Sequence, residues 1–263
     1  MTAQHAAPHD PSFLHDVLTV AGRGLRSIPR DPEVVVPSLV VPAFFFFVNI
    51  GAFEQLVEAG LGGLDFRAFQ IPSAVLFGVT GVSRANAVVT DIQTGYLDRL
   101  LMTPVNRLAL LVGLMVADFV MVMALAVPVL LLGVLVGAEY TTGPLGIVVF
   151  VILTGLWGLV FAGFPYAIAL RTGNPAAVNT SFIIFLPFLF LTTAFAPKEA
   201  LSGWLSTAAD LNPVTYLLAG LRSLLMEGWR PAELAGALAA VAAVGLVSLP
   251  LAFLALRARV ARG

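Results

Sequence analysis

The sequence predicts an all-α membrane protein with six transmembrane helices behind an N-terminal amphipathic interfacial helix. Three observations predict it. Of 263 residues, 59% are hydrophobic and 11% charged, against about 45–50% and about 25% in a soluble domain. A larger core cannot absorb that excess, because a soluble chain of this size still needs polar residues over its surface. Charged residues are also spaced so that uncharged stretches recur at the length of about 20 residues that a bilayer requires. Finally, the net charge is −1 and there is no cysteine, which leaves no electrostatic footprint for nucleic acid and no disulfide scaffold.

The elements follow in order. Residues 1–12 are polar, with no apolar core before a small-residue cleavage site, so they do not read as a cleavable signal peptide. Over 13–28, Leu14, Val17, Leu18, Ala21, Leu25 and Ile28 fall at helical spacing, with Arg23, Arg26 and Arg30 on the polar side. Such a basic amphipathic helix lies along a membrane surface. Six spans are expected near 34–53, 70–90, 108–136, 145–170, 177–196 and 234–256, interrupted by charge only at Arg84 and Asp118. Pro37, Pro42, Pro72, Pro128, Pro165, Pro187 and Pro250 fall within them and read as packing kinks whose freed carbonyls neighbours can satisfy. Gly133 and Gly137 form a GxxxG pair, which can join two chains or simply pack within one.

Basic residues set the orientation, since they concentrate on the cytoplasmic side. With the N-terminus inside, Arg23, Arg26, Arg30, Arg84, Arg99, Arg107, Arg171, Arg257, Arg259 and Arg262 lie inside or at the inner boundary. Arg67, Lys198, Arg222 and Arg230 fall outside. Both termini are therefore expected in the cytoplasm, in the cell (inner) membrane.

Several chemistries are missing. A phosphate-binding loop needs a lysine behind glycines, and Lys198, the only lysine, has no such loop before it. His5, His9 and His15 all precede the first span, so no buried Ser–His pair is available. There is no HExxH motif. No catalytic or metal-binding residue is assigned, and the chain does not read as an enzyme.

Arg84 and Asp118 are intramembrane polar residues. A lone charge at the bilayer centre costs at least about 2.5–3.5 kcal/mol on insertion scales. The second and third spans run antiparallel from one inner loop and could bring the two together. A structural pair and a polar element on the transport path are both compatible with that placement.

The loop at 90–107 runs Thr90-Asp91-Ile92-Gln93-Thr94-Gly95-Tyr96-Leu97-Asp98-Arg99-Leu100-Leu101-Met102-Thr103-Pro104-Val105-Asn106-Arg107. Tyr96, Leu97, Leu100 and Leu101 give a short helix one apolar face, suited to a groove on a soluble partner or to packing on its own spans. Asp91, Gly95, Leu97, Leu100, Leu101, Thr103, Pro104 and Arg107 are similar to the acid…Gly-Thr-Leu…Leu-Leu-x-Thr-Pro-x-x-Arg pattern of type-2 ATP-binding-cassette permeases, antibiotic and multidrug branch. Ile92 stands where a basic residue is common and Tyr96 where Thr is common. Phe195-Ala196-Pro197-Lys198-Glu199-Ala200-Leu201, then Asn212-Pro213-Val214-Thr215-Tyr216 and Arg222, resemble that family's segment after the fifth span. The resemblance covers essentially the whole chain.

The resemblance implies short re-entrant helices between the fifth and sixth spans, with Asn212, Pro213, Tyr216 and Arg222 as their motif. It implies a permease domain over 34–263, preceded by a tail and interfacial helix over 1–33, with an extracytoplasmic segment at 198–233. Its function is export of an amphipathic drug- or antibiotic-like substrate. A cognate ATPase subunit would dock at Asp91, Gly95, Tyr96, Leu97, Asp98, Arg99, Leu100, Leu101, Thr103 and Pro104. No cofactor is expected in this chain; ATP and Mg belong to that ATPase. The other partners are a second permease, identical or related, and the lipid bilayer. Export of a lipid or lipid-linked glycan is an alternative, as is an ATP-independent carrier working through Asp118.

Overall fold

The computed structural model describes residues 13–27, 32–60, 65–80, 82–102 and 106–261. In order along the chain these form α1 (Phe13–Ser27), α2 (Pro32–Gly60), α3 (Phe66–Val79), α4 (Ala85–Gln93), α5 (Tyr96–Leu101) and α6 (Arg107–Leu135). Then come α7 (Gly143–Phe161), α8 (Gly163–Thr172), α9 (Pro175–Phe190), α10 (Trp204–Leu211), α11 (Pro213–Arg222) and α12 (Pro231–Val260). A 3-10 turn covers Lys198–Ala200, and a π-helical turn at Ser223–Glu227 continues α11. Four stretches are long and apolar enough to cross a bilayer: Val35–Val57, Arg107–Leu135, Gly143–Thr172 and Pro231–Val260. Phe66–Val79 and Pro175–Phe190 are apolar but shorter. The chain is an all-α, multi-span membrane protein.

Three expected spans differ from the observed helices, each where side chains, local or distant, satisfy the backbone. The helix expected over 70–90 is split: α3 stops at Val79 and α4 starts at Ala85. At the break, Thr80 Oγ1 donates to the Leu76 carbonyl (2.6 Å) and Ser83 Oγ accepts the Ala85 N–H (3.1 Å). The helix expected over 145–170 is interrupted at Ala162, three residues before Pro165, which has no N–H to give. There Ser248 of α12 donates to the Val160 carbonyl at 2.5 Å. The helix expected over 177–196 ends at Phe190, because the carbonyls of Phe188 and Leu191 take hydrogen bonds from Asn212, and that of Ala194 from Ser73. Inside lipid such partners are what permit a helix to break.

Lipid supplies no hydrophobic drive between spans, so close backbone approach matters. A Cβ at Gly158 would meet the Val122 side chain, and one at Gly163 would fall 2.8 Å from the Ser248 carbonyl. Gly133 of the GxxxG pair is packed against Ile71 and Tyr140 of its own chain. Gly137 follows the end of α6 with φ of +91°, a conformation favouring glycine. That pair serves the bundle and the end of its helix. Buried apolar side chains form one cluster drawn mainly from α3, α6, α7 and α11, and a second from α4, α6, α8 and α12.

Candidate functional site

The segment expected to meet a partner is an elbow of two helices. Gly95, with φ of +69°, makes the turn between α4 and α5, and this left-handed corner explains a glycine there. Leu97 is buried among Val88, Val89, Met115 and Tyr166 in the second cluster. Leu97, expected on the docking face, is thus turned toward the bundle and anchors the elbow. Tyr96, Arg99 and Met102 are exposed, and Leu100 is half-buried. Thr103 and Pro104 lie outside the described residues, as do Ile28, Arg30 and Arg262. The placement of the Asp98 and Leu101 side chains is likewise outside them.

The elbow is held on two sides. On one, α1 lies across α6, with Val17 and Val20 set against Gly113. Arg23 of α1 donates to Tyr96 Oη (2.8 Å) and pairs with Asp91 (3.7 Å). Burial raises the Asp91 carboxyl above its ordinary pKa, against the pull of Arg23. Asp16 accepts the N–H of Asn106, the residue that caps α6. α1 therefore touches both ends of the loop. On the other side, Gln93 donates to the Gly173 carbonyl (3.1 Å), in the turn between α8 and α9, and Asn86 to Asn179 (2.9 Å) of α9. Arg23 was legible only as a polar-face residue of an amphipathic helix, and Asp16 carried no signal of its own. Nothing in their spacing named the loop as their target.

Asp118 is fully buried on α6. Its carboxylate accepts the Tyr166 hydroxyl at 2.7 Å and the Arg84 backbone N–H at 3.2 Å. Sequence spacing places Arg84 late in a continuous helix; the structure places it at the break, capping α4. The two residues do meet, through the backbone amide of Arg84. Its guanidinium donates to the Gly24 carbonyl of α1. Asp118 thus links the α3–α4 break to α8 through Tyr166, a partner the sequence reading missed because a lone tyrosine in an apolar run carries no pattern.

At the other end of the bundle, Asn212 caps α11 by accepting the Val214 N–H (3.0 Å) and donates to the Phe188 (2.6 Å) and Leu191 (2.9 Å) carbonyls. Pro213 opens α11. Tyr216 Oη donates to the Asp210 carbonyl at 2.7 Å. Leu217, Leu218, Leu221, Leu224 and Leu225 all pack into the bundle. Arg222, expected in a polar outer segment, is 6% exposed. Its guanidinium lies 3.5 Å from the centre of the Phe69 ring and donates to the Phe69 carbonyl (3.2 Å), Ser73 Oγ (3.0 Å), Thr193 Oγ1 (3.0 Å) and the Thr193 carbonyl (2.8 Å). Among the described residues no carboxylate lies within salt-bridge distance of it. Ser73 and Thr193 escape a sequence reading because both look like ordinary small residues in apolar runs.

Among the described residues, no group of three or more His, Asp or Glu side chains is placed to hold a metal. The arrangement is one of helix junctions tied by buried polar side chains, between an exposed elbow at one end and a cap of short helices at the other.

The chain is similar to the daunorubicin resistance ABC transporter permease protein DrrB1 of Streptomyces coeruleorubidus, 26% identical over 215 residues that cover 79% of this chain and 74% of that one. It is 25% identical over 244 residues to the probable doxorubicin resistance ABC transporter permease protein DrrC of Mycobacterium tuberculosis, covering 91% and 88%. It is 26% identical over 157 residues to the probable multidrug ABC transporter permease YbhR of Escherichia coli K12, covering 58% and 42%. The family model described as ABC-2 type transporter matches residues 15–226. The chain therefore belongs to the ABC-2 type transporters, as a membrane permease.

Proposed function

We propose that this permease works in an ATP-driven exporter of amphipathic, drug- or antibiotic-like cargo, with a separate ATPase docked on the elbow at 90–107. The relatives named for daunorubicin and doxorubicin resistance support that cargo class. In this reading the chain crosses the membrane six times, with α3–α4 and α9 as the second and fifth spans and both termini cytoplasmic. It works beside a second permease, and ATP and Mg bind the ATPase. The short helices of 198–233 are re-entrant and cap the bundle on the outer side, held by Asn212 and Arg222.

The observation that carries the reading is the shape of the elbow. Leu97 roots it in the core, while Tyr96, Arg99 and Met102 face outward. An exposed apolar and basic ridge on a rooted two-helix turn can receive a push from a soluble partner and pass it to α6 and α8. Changing Arg99→Glu together with Met102→Asp tests this, because neither side chain is part of the core. Thermal stability is expected to shift by no more than about 0.5 kcal/mol, while ATPase co-purification and drug efflux are lost. A complex and efflux rate equal to wild type would overturn the reading.

A further inference from the structure

A cleft of about 250 Å³ opens between α3, α7, α8, α9, α11 and α12, walled chiefly by Trp157, Phe161, Phe164 and Phe188. Trp157 lies about halfway along Gly143–Thr172, the stretch long enough to cross a bilayer. The cleft is therefore near mid-membrane depth.

Its two polar residues are already engaged. Thr80 Oγ1 donates to the Leu76 carbonyl at 2.6 Å and accepts from Trp157 Nε1 at 3.4 Å, which also fixes the plane of the indole. Asn212 spends its amide on the Phe188 and Leu191 carbonyls and its oxygen on the Val214 N–H. The cleft thus offers aromatic faces and edges, with its hydrogen-bonding side chains spoken for.

That chemistry selects a flat ring over a flexible chain. A rigid fused ring has no rotamer freedom to lose on entering, and it gains offset-stacked or edge-on contacts with the walls. An acyl chain loses conformational freedom and makes no such contacts. The volume is below the range of about 300–1,000 Å³ for sites that engulf a drug-sized molecule, so it suits a ring system and not a whole drug. We propose that this cleft, within a single permease chain, binds the planar aromatic portion of the cargo.

The proposal rests on the exporter reading, and the two can fail separately. Trp204 and Trp229 are exposed, so a Trp204→Phe/Trp229→Phe chain, in complex with its ATPase in lipid nanodiscs, keeps Trp157 as its single indole reporter. Ethidium, a planar tricyclic cation, is the probe. Saturable quenching of Trp157 is expected. Phe164→Leu should weaken it about threefold to tenfold, the worth of one aromatic pair, and Phe164→Tyr should restore it. Val244→Phe, which fills the cleft, should abolish it.

Quenching by brominated phosphatidylcholine that ethidium does not relieve would mean that acyl chains fill the cleft, overturning the proposal. Absence of saturable ethidium quenching would overturn it too; ATP-driven ethidium efflux persisting in inverted vesicles would then leave the exporter reading intact. Quenching without any ATP-driven efflux would support the cleft and overturn the exporter reading instead.

Discussion

Two arginines show how differently the ends of this bundle are built. Arg23, on the amphipathic α1, reaches Asp91 and Tyr96 with its side chain 46% exposed. Arg222, on α11, is buried against Phe69 and bound by neutral oxygens of Ser73 and Thr193. Exposed ion pairs are screened and individually weak, about 0.2–1 kcal/mol. A buried polar group is expensive to leave unpartnered, about 1–3 kcal/mol for each orphaned donor or acceptor. The elbow end is therefore adjustable, and the α11 end is locked. In the exporter reading proposed above, a subunit driven from a soluble partner benefits from that difference: one end can shift while the other keeps the helices in register.

Breaking the lock should have the largest effect. Arg222→Leu leaves Thr193 Oγ1 and the Thr193 carbonyl without their donor, while Ser73 keeps its bond to the Ala194 carbonyl. The expected loss is several kcal/mol, on the order of the buried-group cost taken twice with the guanidinium–Phe69 contact added, seen as a collapse of the monodisperse peak and thermal midpoint in detergent. Arg222→Lys should recover only part of it, because an ammonium cannot reproduce the planar fork. A thermal midpoint for Arg222→Leu equal to wild type would remove the contrast altogether.

The middle of the molecule should respond to an intermediate degree. Asp118→Leu leaves the Tyr166 hydroxyl and the Arg84 amide without their acceptor, at about 1–3 kcal/mol each. Asp118→Asn keeps an acceptor oxygen and should cost clearly less. Thermal unfolding of both variants separates these outcomes. If Asp118→Asn proved as damaging as Asp118→Leu, the negative charge and not the junction would be what matters.

The smallest effect belongs to the elbow. Arg23→Gln should lower stability by less than about 1 kcal/mol, and high salt should erase most of that difference. A double-mutant cycle with Asp91→Asn measures the coupling directly. A salt-independent coupling of several kcal/mol would make the elbow a second lock and dissolve the distinction between the ends.

Much of this was readable from the chain. The interfacial helix, α6 and α12 came out within a few residues of their expected ends, because long uncharged or periodic stretches are read one residue at a time. A short helix before the start of α6 was legible in the elbow, but the burial of Leu97 was not. In a six-residue helix a single apolar stripe is equally consistent with facing a partner or facing the bundle. The breaks at Thr80–Arg84, Ala162 and 191–196 were missed for a related reason. Apolar composition announces that a segment belongs in lipid, and is silent on whether its backbone stays helical there.

Residence in the bilayer, the all-helical class and the lack of a nucleotide-binding loop are properties of local composition and short motifs, so the amino-acid order settles them. Where helices stop inside the membrane is a matter of which distant side chain can take over a freed carbonyl or amide: Ser248 for Val160, Asn212 for Phe188, Asp118 for Arg84. Those partners are separated by 88, 24 and 34 residues along the chain. Only the packed bundle brings them together, because a backbone group in lipid has no water to turn to and must find its partner within the protein.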